Sequence, residues 1–304
     1  MAHITPNPLP DVAAHLIVGA HEEPFLPALL ESIAGACRML IVNDNAPDPS
    51  PHAAALNASR FAREGRIVVN RTPFSDFAAA RNVCLQLHGE LRAGEWVAFV
   101  DADEVHGESV NRVARHLRSG ALGADAVEGY TWHFFASPDW YMSIERRMMF
   151  FRYAPQLRWT GPVHEQLDGL GNRRLILPYV YAHYGWIMPV QRHALKGRQY
   201  SSLGAAGEIV PEDGLGDVQL QTYFEYAHRW RSAMRFRGRH PRAARPVIER
   251  MRYDRAEEFA LADALVRRHQ PVHRRFANAL MKLNYEQRWR LRALNPQARA
   301  LLER

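Results

Sequence analysis

The sequence predicts an α/β protein: a Rossmann-like, mostly parallel sheet flanked by helices, with a helical extension towards the C-terminus. Three observations carry this. Short apolar runs alternate with helical periodicities through the first third of the chain, the pattern of strands buried on both faces. The fourth run, Trp96-Val97-Ala98-Phe99-Val100, opens into Asp101-Ala102-Asp103-Glu104. Carboxylates at the end of such a strand stand where open α/β sheets bind their ligands. Charge is also uneven: residues 229–304 hold 20 Lys+Arg against 7 Asp+Glu, whereas residues 1–228 hold 19 against 25.

Leu16-Ile17-Val18 is the first strand, followed by a helix from about Pro24, where Phe25, Leu26, Leu29, Leu30 and Ile33 recur at helical spacing. Met39-Leu40-Ile41-Val42 is the second strand, ended by a turn-rich loop from Asn43 to Pro51. Ile67-Val68-Val69 is the third. Ser75 is the expected cap of a helix from Asp76 to about Leu91, with Phe77, Ala80, Val83, Cys84 and Leu87 on one face. Trp96 to Val100 is the fourth strand. Beyond residue 125, aromatic-rich strands are expected over Val127–Phe135, Arg147–Tyr153 and Arg174–Tyr184, joined by loops containing Pro138, Pro155 and Gly161-Pro162. From Val190 onward helices dominate. The expected organisation is a main domain over residues 12–228 and a basic helical extension over 229–304.

The 304 residues are 47% hydrophobic, enough to bury a full core. Cys37 and Cys84 are the two cysteines, and neither sits in a metal-ligand spacing, so a reducing cytoplasm is expected rather than a disulfide framework. Met1 to Asp11 lacks the features of a secretion signal, and no apolar stretch approaches the roughly 20 residues of a membrane span. The expectation is therefore a cytoplasmic chain.

Candidate chemistry concentrates in a few places. Carboxylates at i and i+2, Asp101 and Asp103, can give a divalent cation one direct and one water-mediated contact, with Glu104 in support; a solvated turn is the plainer alternative. Asp44, just past the second strand, is either an ordinary turn residue or an acceptor for a nucleobase N–H. Asp76 opens a helix where the dipole favours it. Arg81 and Asn82 in the body of that helix suggest polar work, either donor contact or structural ion-pairing. His164-Glu165 follows Trp159-Thr160-Gly161-Pro162-Val163, a rigid loop in which Glu165 could be a positioned base. His183, in an aromatic strand, is a core histidine or a third metal ligand. Lys196 and Arg198 could reach phosphates or simply face solvent.

In order, these motifs resemble glycosyltransferase family 2, the inverting enzymes of GT-A fold, over roughly residues 12–200. Ala20-His21-Glu22-Glu23 is similar to the family's first-strand segment, and Asn43 to Asp48 to its D-D-G-S-T-D loop, with Asp44 at the base-contacting position. Asp76 to Asn82 resembles its D-F-x-x-x-R-N helix, and Asp101-Ala102-Asp103-Glu104 its D-x-D-E metal site. Arg147-Met148-Met149-Phe150-Phe151-Arg152, Val163-His164-Glu165 and His183-Tyr184-Gly185-Trp186 resemble its R-x-x-L-F-R, V-H-E and H-Y-G-Y segments. The fit is best to the branch that includes lipopolysaccharide-core glucosyltransferases.

The resemblance implies a nucleotide-binding half over residues 12–105 and an acceptor half over 106–228. Asp103, helped by His183 and Asp101, would hold Mn2+ or Mg2+ on the diphosphate of a nucleotide sugar, a UDP-sugar. Asp44, Asp76, Arg81, Asp101 and Lys196 would bind that donor. Glu165 would be the general base for the acceptor nucleophile, a saccharide, a lipid-linked saccharide or a peptide; Asp139 and Glu145 are further candidates.

In the tail, Arg250, Arg252, Arg255, Arg267 and Arg268 interleave with Val247, Ile248, Met251, Phe259, Leu261 and Leu265, the pattern of an amphipathic basic helix. A second candidate helix runs from Phe276 to Leu294. Such helices either pack on the catalytic domain or touch an anionic membrane peripherally; without a recognised module, nucleic acid is not an expected partner. Two other functions remain open. A sugar-nucleotide nucleotidyltransferase would share sheet and carboxylates but needs a Gly-rich basic loop after its first strand, where Gly19-Ala20-His21-Glu22-Glu23 is acidic. A non-enzymatic adaptor using the tail would need no ordered metal and nucleotide motifs.

Overall fold

The computed structural model describes residues 11–118, 123–188, 199, 200, 202–204, 233–273 and 276. Among them the chain runs β1 (Val12–Val18), α1 (Leu26–Ile33), β2 (Met39–Asp44), α2 (Ala53–Ala58), α3 (Arg60–Arg63), β3 (Ile67–Arg71), α4 (Phe77–Leu91), β4 (Trp96–Asp101), β5 (Glu104–His106), α5 (Ser109–Arg118), β6 (Ala126–Phe135), β7 (Ser137–Arg152), β8 (Arg158–Thr160), β9 (Gln166–Asp168), β10 (Arg174–Trp186) and β11 (Met234–Arg235). Two helices follow, α6 (Arg245–Asp254) and α7 (Ala256–His269).

One sheet carries the order β3-β2-β1-β4-β7-β6-β10-β5, with β11 added on β7. It is parallel through β3, β2, β1 and β4 and again between β6 and β10, while β7 runs against both neighbours and β5 against β10. The expected parallel sheet is thus confined to the first half and one later pair. The antiparallel part arises because β6 and β7 form a hairpin, turned at Ala136 in a left-handed conformation (φ 64°).

Alternation along β1 shows how the two faces are covered. Val12, Ala14, Leu16 and Val18 join one cluster with Leu26, Leu29, Leu30 and Ile33 of α1 and Val110, Val113, Ala114 and Leu117 of α5. Ala13 faces the other way, against Ile41 and Cys84 of α4. Ala78 and Leu85 of α4 continue that layer onto Val97, Phe151 and Trp159. Helices on both faces are what a sheet of short apolar strands requires.

The C-terminal part is not a free appendage. Met234–Arg235 pairs with Tyr141 and Trp140 of β7. Ile248 of α6 packs in a cluster with Phe25, Phe134 and Tyr184, and Ala262 and Val266 of α7 pack with Phe135 and Trp140. The single amphipathic helix expected over this stretch is instead two, broken at Arg255, whose side chain donates to Glu258 and to the Ile187 carbonyl. No helix among the described residues is long and apolar enough to cross a membrane. The second candidate helix, from Phe276 to Leu294, lies outside them.

Candidate active site

Ladder register sets the geometry. Val18 pairs with Asp44 on one side of β1, and Ile17 with Asp101 on the other. Both carboxylates therefore stand at the same carboxyl edge of the parallel strands, the edge where such sheets take ligands. Asp44 is buried, and its Oδ1 accepts from the Ala46 N–H at 3.0 Å. The following Asn45 is held by Thr72, and Asn43 by Asn70, Thr72 and the Ala80 carbonyl, so the loop after β2 is fixed by side-chain hydrogen bonds.

Helix α4 supplies three polar residues with three different tasks. Asp76, not Ser75, is the N-cap: its Oδ1 accepts from the Ala79 N–H at 2.7 Å, satisfying an otherwise orphaned donor. Asn82 clamps the main chain of Trp159 from both sides, donating to its carbonyl and accepting from its N–H, each at 2.9 Å. Arg81 is only 6% exposed and joins two carboxylates, donating to Asp101 Oδ1 at 2.6 Å and to Glu165 Oε1. Its guanidinium lies 4.2 Å from the centre of the Phe99 ring, a cation–π contact that a planar, weakly hydrated cation makes well.

Asp101 is consequently an arginine-bound residue. Arg147 donates to its other oxygen at 3.3 Å and to Glu104 Oε1 at 3.2 Å. Burial alone would raise the Asp101 carboxyl, but Arg81 and then Arg147 outweigh it and hold it well below the usual range. Burial and the Asp101 charge push Glu104 up to about 8; its Oε2 accepts from the Asp101 N–H. The expected ligand set of Asp101, Asp103 and His183 is not assembled: among the described residues no three His, Cys, Asp or Glu side chains converge in a way that could hold a metal ion. Both Asp101 oxygens instead accept from arginines.

Asp103 and His183 do meet. Asp103 Oδ1 lies 3.4 Å from His183 Nε2, and this buried oxygen has no hydrogen-bond partner among the described residues. Strand pairing brings them together, since His183 is opposite Glu104 in the β10–β5 ladder and the Tyr184 N–H donates to the Asp103 carbonyl. Asp103 and His183 crowd against Gly185: a Cβ there would run into Asp103 Oδ2 and come within 3.0 Å of His183 Nε2. A buried, unpartnered carboxylate oxygen beside an imidazole nitrogen suits a divalent cation. A small pocket next to it is lined by Glu23, Phe25, Tyr184 and Met251, so α6 borders the site.

A family-wide sequence model, Glycosyl transferase family 2, matches residues 16–174, just over half of the chain. The chain belongs to glycosyltransferase family 2. It is thus a glycosyltransferase, and its sheet flanked by helices is the GT-A-type architecture that the resemblance implies. Among solved structures, residues 1–349 of TarS from S. aureus share 12% identity, over 86% of this chain and 93% of that one, with a TM-score of 0.39. The mannosyltransferase PcManGT from Pyrobaculum calidifontis, in complex with GDP-Man and Mn2+, shares 15% identity, over 97% of this chain and 84% of that one, with a TM-score of 0.37. No curated protein matches the sequence.

In this glycosyltransferase, Glu165 sits beyond β8 and is brought to the sheet edge by Arg81. Its neighbour His164 is held at φ 56°, and the Pro162 carbonyl accepts from the Phe77 N–H at the start of α4. Asp139 is tied to Arg252 of α6 at 2.7 Å. Lys196 and Arg198 lie outside the described residues. Two residues of the cluster had no role assigned from the sequence. Arg147 was present only as a motif letter, and His133, which lies against His183, gave no local signal, because its partner is 50 residues away.

Proposed function

We propose that this glycosyltransferase is metal-dependent and inverting, moving a sugar from a nucleotide-sugar donor, a UDP-sugar, to a nucleophile on a saccharide, a lipid-linked saccharide or a peptide. One observation carries the reading: the buried, unpartnered Asp103 Oδ1 faces His183 Nε2 at 3.4 Å, at the edge that also holds Asp44 and Asp101. Two donors at that separation can share one ion at about 2.1 Å from each. Two protein donors leave further positions for phosphate oxygens and water, which fits Mn2+ or Mg2+ better than a closed structural zinc site. When bound, the ion supplies positive charge against that developing on the departing diphosphate.

The chain's own groups do the rest. Asp44 accepts from an N–H of the nucleobase. Asp76, as the cap, fixes the start of α4. Asp101 orients Arg81 and Arg147, and Arg81 in turn orients Glu165. Glu165 takes the proton from the acceptor nucleophile as it attacks the anomeric carbon opposite the departing diphosphate, and one such displacement inverts that centre. The arginine-rich C-terminal part, with Arg250 and Arg268 exposed, suits a cytoplasmic enzyme that meets a lipid-linked acceptor at an anionic membrane surface.

The test is nucleoside diphosphate release from UDP-, GDP-, dTDP- and ADP-sugars, with and without Mn2+ or Mg2+ and candidate acceptors. Release should need metal and vanish in Asp103→Ala, whose thermal stability should not fall, because it removes an unsatisfied buried acceptor. Glu165→Gln should bind donor and fail to transfer. Metal-independent turnover would overturn the reading, and release of pyrophosphate would replace it with nucleotidyl transfer.

A further inference from the structure

The loop between β1 and α1 runs between the two ends of the proposed donor site. At its start, Gly19 follows Val18, which pairs with Asp44 and whose carbonyl accepts from the Asn45 N–H at 2.9 Å. At its far end, Glu23 and Phe25 line the small pocket beside Asp103. A nucleoside diphosphate with its base at Asp44 and its phosphates at Asp103 would therefore lie along residues 19–23. Ala20, His21 and Glu22 are exposed, so packing does not hold the middle of the loop. Its start is held from outside: the His52 ring, on the segment before α2, donates from Nε2 to the Gly19 carbonyl at 2.9 Å. A carbonyl can only accept, so Nε2 carries the proton of this contact.

His52 is 1% exposed, and its Nδ1 is buried without a hydrogen-bond partner among the described residues. An unpaired buried acceptor is unfavourable, and an aliphatic side chain would fill the same position without one. What the imidazole adds is the contact to Gly19. Stability does not demand that contact, because Gly19 is exposed and water can take the place of the imidazole N–H. Nor does the fold demand a glycine there: Gly19 is not at positive φ, and no atom lies within 4 Å of where its Cβ would stand. A glycine in such a position lets a ligand approach the backbone closely. We propose that His52 is a positioning residue for the nucleotide-sugar donor: by holding the Gly19 carbonyl it fixes the path of the loop along which the donor lies. The inference rests on the nucleotide-sugar reading above.

The experiment measures binding of UDP, GDP, dTDP and ADP by calorimetry in the presence of Mn2+, and backbone 15N order parameters of residues 20–22 in the ligand-free enzyme. His52→Leu should weaken nucleoside diphosphate binding roughly 3–10-fold, the worth of about one net hydrogen bond. It should also lower the order parameters from ~0.85 towards ~0.6, with the thermal melt unchanged. His52→Gln, whose amide N–H reaches a similar distance, should restore both. Gly19→Ala should keep the wild-type melt and order parameters yet bind nucleotide more weakly, because its methyl takes up room beside the backbone. Wild-type affinity in His52→Leu, or a His52→Gln variant as impaired as His52→Leu, overturns the proposal. Undiminished binding by Gly19→Ala overturns it too, and decides the matter even where His52→Leu does not fold. A loop that loosens in His52→Leu, in an enzyme that binds none of these nucleotides, supports the positioning contact and sinks the nucleotide-sugar reading instead.

Discussion

Removing the Arg81 guanidinium should unfold more than a contact. In Arg81→Met the side-chain volume is largely kept, but Asp101 and Glu165 lose a donor that is only 6% exposed and lies 2.6 Å from Asp101. Breaking a buried pair by removing one partner costs about 3–5 kcal/mol, because the other charge stays buried. Asp101 retains Arg147 at 3.3 Å, which places the expected loss near the lower end, about 3 kcal/mol, out of the ~5–15 kcal/mol typical of a domain. Urea unfolding of wild type, Arg81→Met, Asp101→Asn and the double variant measures both the loss and the coupling, expected at about 1–3 kcal/mol. The pH dependence supplies an independent sign. The Asp101 carboxyl is held low in the fold, so its ionisation stabilises above the ordinary carboxylate range and that stability is lost as pH falls through it. Arg81→Met should flatten this acid limb. A stability within about 1 kcal/mol of wild type at neutral pH, with the limb unchanged, would falsify the view that Arg81 holds the site together.

Gly185→Ala should abolish Mn2+ binding while sparing the fold, since its Cβ would meet Asp103 Oδ2 and lie 3.0 Å from His183 Nε2; undiminished binding by titration contradicts the location of the ion. Acid should destabilise through buried neutral histidines. Burial lowers His106 to about 3, and burial, then His183 and Arg147, lower His133 to about 3 as well. For a histidine depressed in the fold, stability is present above about 6.5 and lost as pH falls, by about 2 kcal/mol per histidine at pH 5. Glu104, raised to about 8 by burial and Asp101, acts in the opposite sense between pH 8 and about 4.5. His106→Asn isolates the histidine part: its unfolding free energy relative to wild type should improve by about 2 kcal/mol between pH 7 and pH 5, and a pH-independent difference refutes the assignment. Asn82→Ala removes both hydrogen bonds to Trp159 and should lower transfer through misplaced Glu165 more than it lowers donor affinity, read as kcat against KM.

The parallel half of the fold was legible because strands buried on both faces leave continuous apolar runs, and each run sits inside its observed strand: Met39–Val42 in β2, Trp96–Val100 in β4. Ser109–Arg118 was missed although Val110, Val113, Ala114 and Leu117 recur at helical spacing and are buried, because three arginines and three polar residues outweigh them in composition. The long β7 was read as a loop and a short strand on account of Pro138, which falls at its second residue, where a missing N–H is tolerated. In the site, the type and order of Asp44, Asp103, Glu165 and His183 could be read locally. Which carboxylate the arginines take could not, since Arg147 reaches Asp101 from 46 residues away and Arg81 from 20.

That allocation decides how the D-x-D pair divides its work. Asp101 and Asp103 are chemically equal in the sequence, and either could face a cation. In the fold, two guanidiniums compensate Asp101, and an ion bound there would have to displace one of them from a partly buried position at the cost of leaving an arginine unpaired. Asp103 carries the opposite imbalance: an oxygen without a hydrogen-bond partner among the described residues, next to an imidazole. A cation relieves the second situation and aggravates the first. The same helix that ties down Asp101 also holds Glu165 through Arg81 and the Trp159 segment through Asn82. The D-F-x-x-x-R-N motif therefore acts as a clamp, fixing the spacing between the carboxylate proposed to serve the leaving group and the carboxylate proposed to take the acceptor proton.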